Sequence, residues 1–137
     1  AVVVLNPDAL VGGAEALPFV RKLSMQLASK MRFISAQIIA LYEGDVWLNN
    51  ARHSNAMAKR LRSKLEQANL PGLKFTQTTE SNAVFATLPD GIADELRQNF
   101  HFYDWDATRN EVRWMCSFDT TEKDIDAFAA AIKQVWA

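Results

Sequence analysis

The chain has 137 residues, of which 49% are hydrophobic and 23% charged, the balance of an ordinary globular protein large enough to bury a core. A net charge of -1 provides no global field toward nucleic acid or anionic membrane. One cysteine cannot form an internal disulfide and suits a reducing compartment, no apolar run reaches the roughly 18 residues of a membrane span, and the N-terminus lacks the basic flank of a signal peptide. The expectation is a soluble, cytoplasmic protein.

In chain order, Ala1-Val2-Val3-Val4-Leu5 reads as a central strand buried on both faces. Such a strand needs neighbours, yet the next strand-like run begins near Leu73. Either it is an edge piece or its sheet is completed by strands outside this sequence, and the second reading is favoured. Asn6-Pro7-Asp8 ends it. Pro18 suits the first turn of a helix over 17–27. A second helix, over 29–42 with Ser29 as N-cap, carries Met31, Ile34, Ile38 and Leu41 on one stripe and is apolar nearly all round, so it is expected to be buried.

A long helix over 45–69 follows, capped by Asp45, with an inward stripe of Trp47, Ala51, Ser54, Ala58, Leu61, Leu65 and Ala68. Its basic residues Arg52, Lys59 and Arg62 lack interleaved aromatics and read as a solvated face, with no nucleic-acid role. His53 shares its turn with no second ligand type, so it reads as a hydrogen-bonded packing histidine. Leu70-Pro71-Gly72 stops the helix, and the hydrophobic period then changes from 3.6 to 2. Strands are predicted over 73–78, 83–88, 100–105 and 111–118, a short helix over 89–98, and a last helix opened by the cap signature Asp119-Thr120-Thr121-Glu122. The order β-β-α-β-β-α describes an α/β unit with an antiparallel or mixed sheet and helices on one face.

Two arginines stand out. Arg32 sits in the first turn of the apolar helix, where free N–H groups and the helix dipole also attract an anion, and Lys30 adds charge there. The alternative is an Arg32 that reaches water or pairs with an acid of its own fold. On the fourth strand Val112, Trp114, Cys116 and Phe118 share the core face, so Arg113 points away from the core. A mid-strand arginine can clamp a carboxylate bidentately, or simply pair with an acid across strands. Cys116, on the core face, reads as packing and not as a nucleophile. No glycine-rich phosphate loop, Ser/His/Asp order or metal-ligand cluster is present, so no catalytic residue is assigned.

Five segments carry a family resemblance: Ala1–Leu5, Lys30-Met-Arg-Phe-Ile-Ser-Ala-Gln37, Asn50-Ala-Arg-His-Ser-Asn-Ala56, Thr79-Glu-Ser-Asn-Ala-Val-Phe85 and Val112-Arg-Trp-Met-Cys-Ser-Phe-Asp-Thr120. In this order the chain resembles the C-terminal part of the threonine aldolase / β-eliminating lyase family, pyridoxal-phosphate enzymes of fold type I. The resemblance implies that residues 1–30 end the large cofactor domain and its linking helix, with Ala1–Leu5 its trailing strand, and that 31–137 form the small C-terminal domain. It also implies that Arg32, supported by Lys30, reaches the cofactor phosphate, typically in a neighbouring subunit, and that Arg113 holds the substrate α-carboxylate. The implied activity is cleavage of a threonine-like or phenylserine-like β-hydroxy-α-amino acid to glycine and an aldehyde by a homodimer or homotetramer. The family's Schiff-base lysine lies before the strand matching Ala1–Leu5, so the chain alone is expected to be inactive. Family members often carry glycines before the Met-Arg pair, where this chain has Leu27-Ala28-Ser29-Lys30. Three alternatives stay open: β-elimination, a self-contained α/β module binding a small anionic metabolite, and a purely structural dimerisation domain.

Overall fold

The structure, a computed structural model, describes Asn6, residues 11–25 and residues 29–136. The strand expected at Ala1–Leu5 lies outside the described residues. The chain divides into two compact units, Ala1–Ala40 and Leu41–Ala137.

In the first unit a single 3-10 turn, Ala14–Ala16, runs into helix α1, Leu17–Leu23, with Pro18 in its opening turn. The sequence predicts α1 as far as Leu27. It stops at Leu23, and Met25 turns left-handed at φ 53°, which an α-helix cannot accommodate. Helix α2 spans Met31–Tyr42 and crosses into the second unit. The position before it is Lys30 and not the expected cap Ser29, and the Phe33 N–H donates to the Lys30 carbonyl at 3.0 Å. The burial expected of α2 is corrected here: none of its residues is buried, and Ile38 is 43% exposed. A helix apolar on every side is buried only where neighbours close over it, and the described residues do not supply them.

The second unit is built on helix α3, Val46–Ala68. Asp45 precedes it, but its carboxylate makes no cap bond, and its carbonyl instead accepts from Asn49 N–H at 2.8 Å. Asn69 closes the helix at φ 47°, a left-handed cap that asparagine tolerates. The predicted stripe is buried at Ser54, Ala58, Leu61 and Leu65, joined by Met57, while Trp47 and Ala51 at its start stay exposed.

Four strands follow: β1 Lys74–Phe75, β2 Ala83–Thr87, β3 Tyr103–Asp106 and β4 Glu111–Met115. They form one antiparallel sheet in the order β1-β2-β4-β3. The short helix α4, Ile92–Arg97, carries the chain from β2 past β4 to the far edge, and β4 returns between them. Helix α5, Glu122–Val135, ends the fold under a capping box in which Thr121 and Asp124 each satisfy the other's backbone N–H. The cap signature read at Asp119 thus operates two residues later.

Alternation sorts the sheet. Val84 and Ala86 of β2 and Val112 and Trp114 of β4 face a core closed by Leu61 and Leu65 of α3, Leu96 of α4 and Ile125, Ala129 and Ile132 of α5. Burying side chains of this size stabilises a fold by roughly 1.5–3 kcal/mol each. Phe118, expected on the same face, is 65% exposed because β4 ends at Met115 and the chain turns, Thr120 N–H donating to the Ser117 carbonyl. The other face of the sheet carries Phe85, Tyr103, Arg113 and Met115.

Candidate functional site

Arg113 lies at the centre of that second face. In the register of the sheet it stands opposite Phe85 on β2 and opposite Tyr103 on β3, so the three form one cross-strand row. A register shift between Asp104 and Asp106 leaves Trp105 as an extra residue in β3. Bulges of this kind re-aim a side chain, and here the Arg113 guanidinium carbon sits over the Trp105 ring, 5.1 Å from its centroid. Trp105 in turn meets Phe85 edge to face at 5.1 Å. Arg113 is half-buried, and Tyr103, Trp105 and Met115 are more than half exposed.

Every acid on the flanking strands is engaged elsewhere. Glu111, two residues back on the same face and buried, accepts the Thr76 hydroxyl and has Arg109 Nη1 at 3.8 Å. Asp104 is bonded to Arg97. Asp106 accepts the backbone N–H and hydroxyl of Thr108, chiefly the hydroxyl, which holds its carboxyl below the usual range. Among the described residues Arg113 therefore has no carboxylate, and its hydrogen-bond donors are unused. The cross-strand ion pair entertained from sequence is absent there.

Lys30 and Arg32 belong to the first unit. Arg32 is the second residue of α2, exposed, and its one described contact is with the Phe33 ring at 5.0 Å. No acid pairs with either cation among the described residues. Lys30 adopts φ 57°, in the left-handed region where a Cβ costs about 1–2 kcal/mol and glycine nothing. The backbone thus keeps a glycine-type conformation at a position that carries lysine. Two cations with no acid partner among the described residues, at the N-terminal end of α2 where the helix dipole is positive, are a donor set of the kind that fits a phosphate.

Other expected roles have plain structural outcomes. His53 Nε2 lies 2.7 Å from the Thr120 carbonyl, tying α3 to the approach to α5. Cys116 is buried and burial pushes its thiol up to about 11, so it is not a nucleophile at neutral pH. No group of three or more metal-ligating side chains occurs among the described residues, and no helix there is long and apolar enough to cross a membrane.

Sequence reasoning missed Trp105 and Asn82. Trp105 follows Tyr103 by two residues, so alternation was the signal that could have placed it on the face of Arg113, whereas the register shift beside it is announced by no local pattern. Asn82 holds the backbone of Cys116 from both sides: its side-chain amide donates to the Cys116 carbonyl at 2.7 Å and its own carbonyl accepts from Cys116 N–H at 2.8 Å. These two hydrogen bonds extend the β2–β4 pairing past Met115. A cavity of about 290 Å³ opens between β4 and α5, lined by Phe100, His101, Trp114 and Asp124 among others, and it contains none of the three predicted cations.

Comparisons with known proteins bear on the family and the fold. No family model matches the chain. It is 37% identical over 123 residues to the low specificity L-threonine aldolase of a Pseudomonas species and 33% identical over 123 residues to that of Pseudomonas aeruginosa. Each match covers 89% of this chain and 35% of the relative, so the chain spans about a third of the length of these curated relatives. A solved structure of Leishmania major threonine aldolase superposes with a TM-score of 0.75 at 26% identity, over 88% of this chain and 36% of that one.

Proposed function

Because the chain belongs to the threonine aldolase family, we propose that it provides the carboxylate and phosphate grips of a pyridoxal-phosphate-dependent aldolase. The substrate is a β-hydroxy-α-amino acid, threonine-like or phenylserine-like, cleaved to glycine and an aldehyde. The observation that carries this reading is Arg113: a mid-strand guanidinium on the uncovered face of the sheet, flanked by acids that are all committed to other partners. The two relatives compared are named as aldolases, which favours that reaction over β-elimination and over a stand-alone anion-binding module.

In this proposal the Arg113 fork accepts the substrate α-carboxylate through two parallel N–H···O bonds. That grip fixes rotation about the Cα–N bond and turns the Cα–Cβ bond toward the direction in which it breaks. Positioning of this kind supplies several kcal/mol of barrier reduction. Arg32 and Lys30 would hold the cofactor phosphate at the head of α2. Pyridoxal phosphate, when bound, supplies the electron sink for the broken bond. Residues 1–30 would then end a cofactor domain and 31–137 form the small domain, in a cytoplasmic homo-oligomer whose neighbouring subunits share the phosphate site.

The test is glycine release from threonine and from β-phenylserine by the complete protein with pyridoxal phosphate. Arg113→Ala should lower kcat/KM by about 100-fold or more, the loss on truncating one partner of a charge-assisted pair. Arg113→Lys should recover only part of it, because a lysine makes a point contact in place of a fork. Arg32→Ala should weaken cofactor binding by about tenfold with far less effect on the KM for amino acid. Wild-type turnover that survives Arg113→Ala intact would end the proposal.

A further inference from the structure

We propose that Trp105 is a positioning residue for Arg113: its indole, at the bulge in β3, lies against the guanidinium and orders it without occupying its N–H donors. This rests on the reading of Arg113 as the carboxylate grip, and it adds how that grip is kept in place.

A guanidinium that must meet a carboxylate has two requirements that pull against each other. It has to be ordered beforehand, because a freely rotating side chain loses rotamer entropy on binding. It also has to keep its donors unused. An acidic neighbour would order it but occupy the very N–H groups the ligand needs. An aromatic face satisfies both requirements, since stacking engages the π surface and leaves the in-plane donors free.

The structure contains that arrangement and shows how it is built. The Arg113 guanidinium carbon is 5.1 Å from the Trp105 centroid. Phe85 on β2 braces the indole across β4 at 5.1 Å and an interplanar angle of 77°. In an unbroken register Trp105 would stand opposite Glu111. Instead Asp106 takes that place, and Trp105 is the inserted residue. Glu111, the acid on the same strand and face as Arg113, is held by Thr76 and Arg109. The bulge, the brace and the diverted acid converge on one outcome, an ordered and unneutralised arginine.

The experiment uses the 137-residue chain and the Arg Nε–Hε signals of its proton–nitrogen NMR spectrum, with the Arg113 signal assigned by its loss in Arg113→Lys. Stacking on an indole places Arg113 Hε in the ring current, so the wild-type signal should lie upfield of the unstructured arginine position. Trp105→Leu should return it to that position, and Trp105→Phe should leave a smaller upfield shift. Titration with acetate should move the same signal, with an apparent affinity about two- to fivefold weaker in Trp105→Leu than in wild type. An Arg113 signal at the unstructured position in wild type, or one unmoved by Trp105→Leu, overturns the positioning role whatever acetate does. If the ring-current shift is present and lost in Trp105→Leu while acetate leaves Arg113 unaffected, the positioning role stands and the carboxylate reading falls.

Discussion

Helices α2 and α5 are of similar length, 12 and 14 residues, and both are rich in isoleucine and alanine. By composition α2 is the more apolar. Yet α5 buries Ile125, Ala129 and Ile132, whereas α2 buries nothing. The difference teaches that periodicity predicts which residues can be buried, and that burial itself needs a partner surface. The partners of α5 are α3 and the sheet, both in its own unit. In α2 the apolar residues Phe33, Ile38 and Ile39 are 43–56% exposed, so they contribute little to the stability of these 137 residues.

The sharpest way to break that contrast is a large-to-small change on the buried side. Leu61→Ala, at a position 1% exposed between α3 and the sheet, should lower unfolding stability by about 3 kcal/mol, read from the shift in denaturant midpoint. The next effect lies at the start of α5. Thr121→Ala removes the hydroxyl that accepts from Asp124 N–H and should lower stability by about 1 kcal/mol by the same measurement. On the exposed side, Ile38→Ser in α2 should stay within about 0.5 kcal/mol of wild type. A larger loss would mean that α2 is covered in solution and that the contrast with α5 is false.

Acid titration sharpens the picture of the second unit. The Arg60 side chain, and after it Lys64, holds the Asp126 carboxyl below its ordinary range, and the Thr121 hydroxyl does the same for Asp124. A carboxyl depressed in the folded state adds stability that is complete above the unfolded value, about pH 4, and is lost as pH falls through the folded value. The melting temperature should therefore hold from pH 7 to about 5 and decline below 4. Asp126→Asn should flatten that acid decline, and an unchanged decline would show that other carboxylates carry it.

Much of the fold was legible because local rules and tertiary demand coincide after Gly72. The change of period from 3.6 to 2 located all four strands and placed α4 and α5 between and after them. Most ends were read too long, by three residues at the end of β1, the start of β3 and the end of β4, while β3 runs one residue beyond its predicted end, because strand ends depend on the partner strand and not on propensity. Arg113 was legible for the same reason: alternation alone puts it opposite in facing to Val112 and Trp114. The sequence reading of Arg32 started from a buried α2, and the structure leaves Arg32 exposed on a helix with no buried residue, the alternative in which it reaches water. Trp105 was not legible, since its contact with Arg113 depends on how β3 pairs with β4, which no local pattern states.

The sequence by itself determined the kinds of element, their order and the face on which each residue of the sheet lies, because side-chain alternation and helical spacing are properties of the chain alone. Only the tertiary structure decided which apolar surfaces are covered, which acids are diverted from Arg113, and which ring lies beneath it. Those outcomes depend on register and on neighbours distant in sequence. A one-residue shift in β3 would change the neighbours of Arg113 on that strand without altering any local pattern.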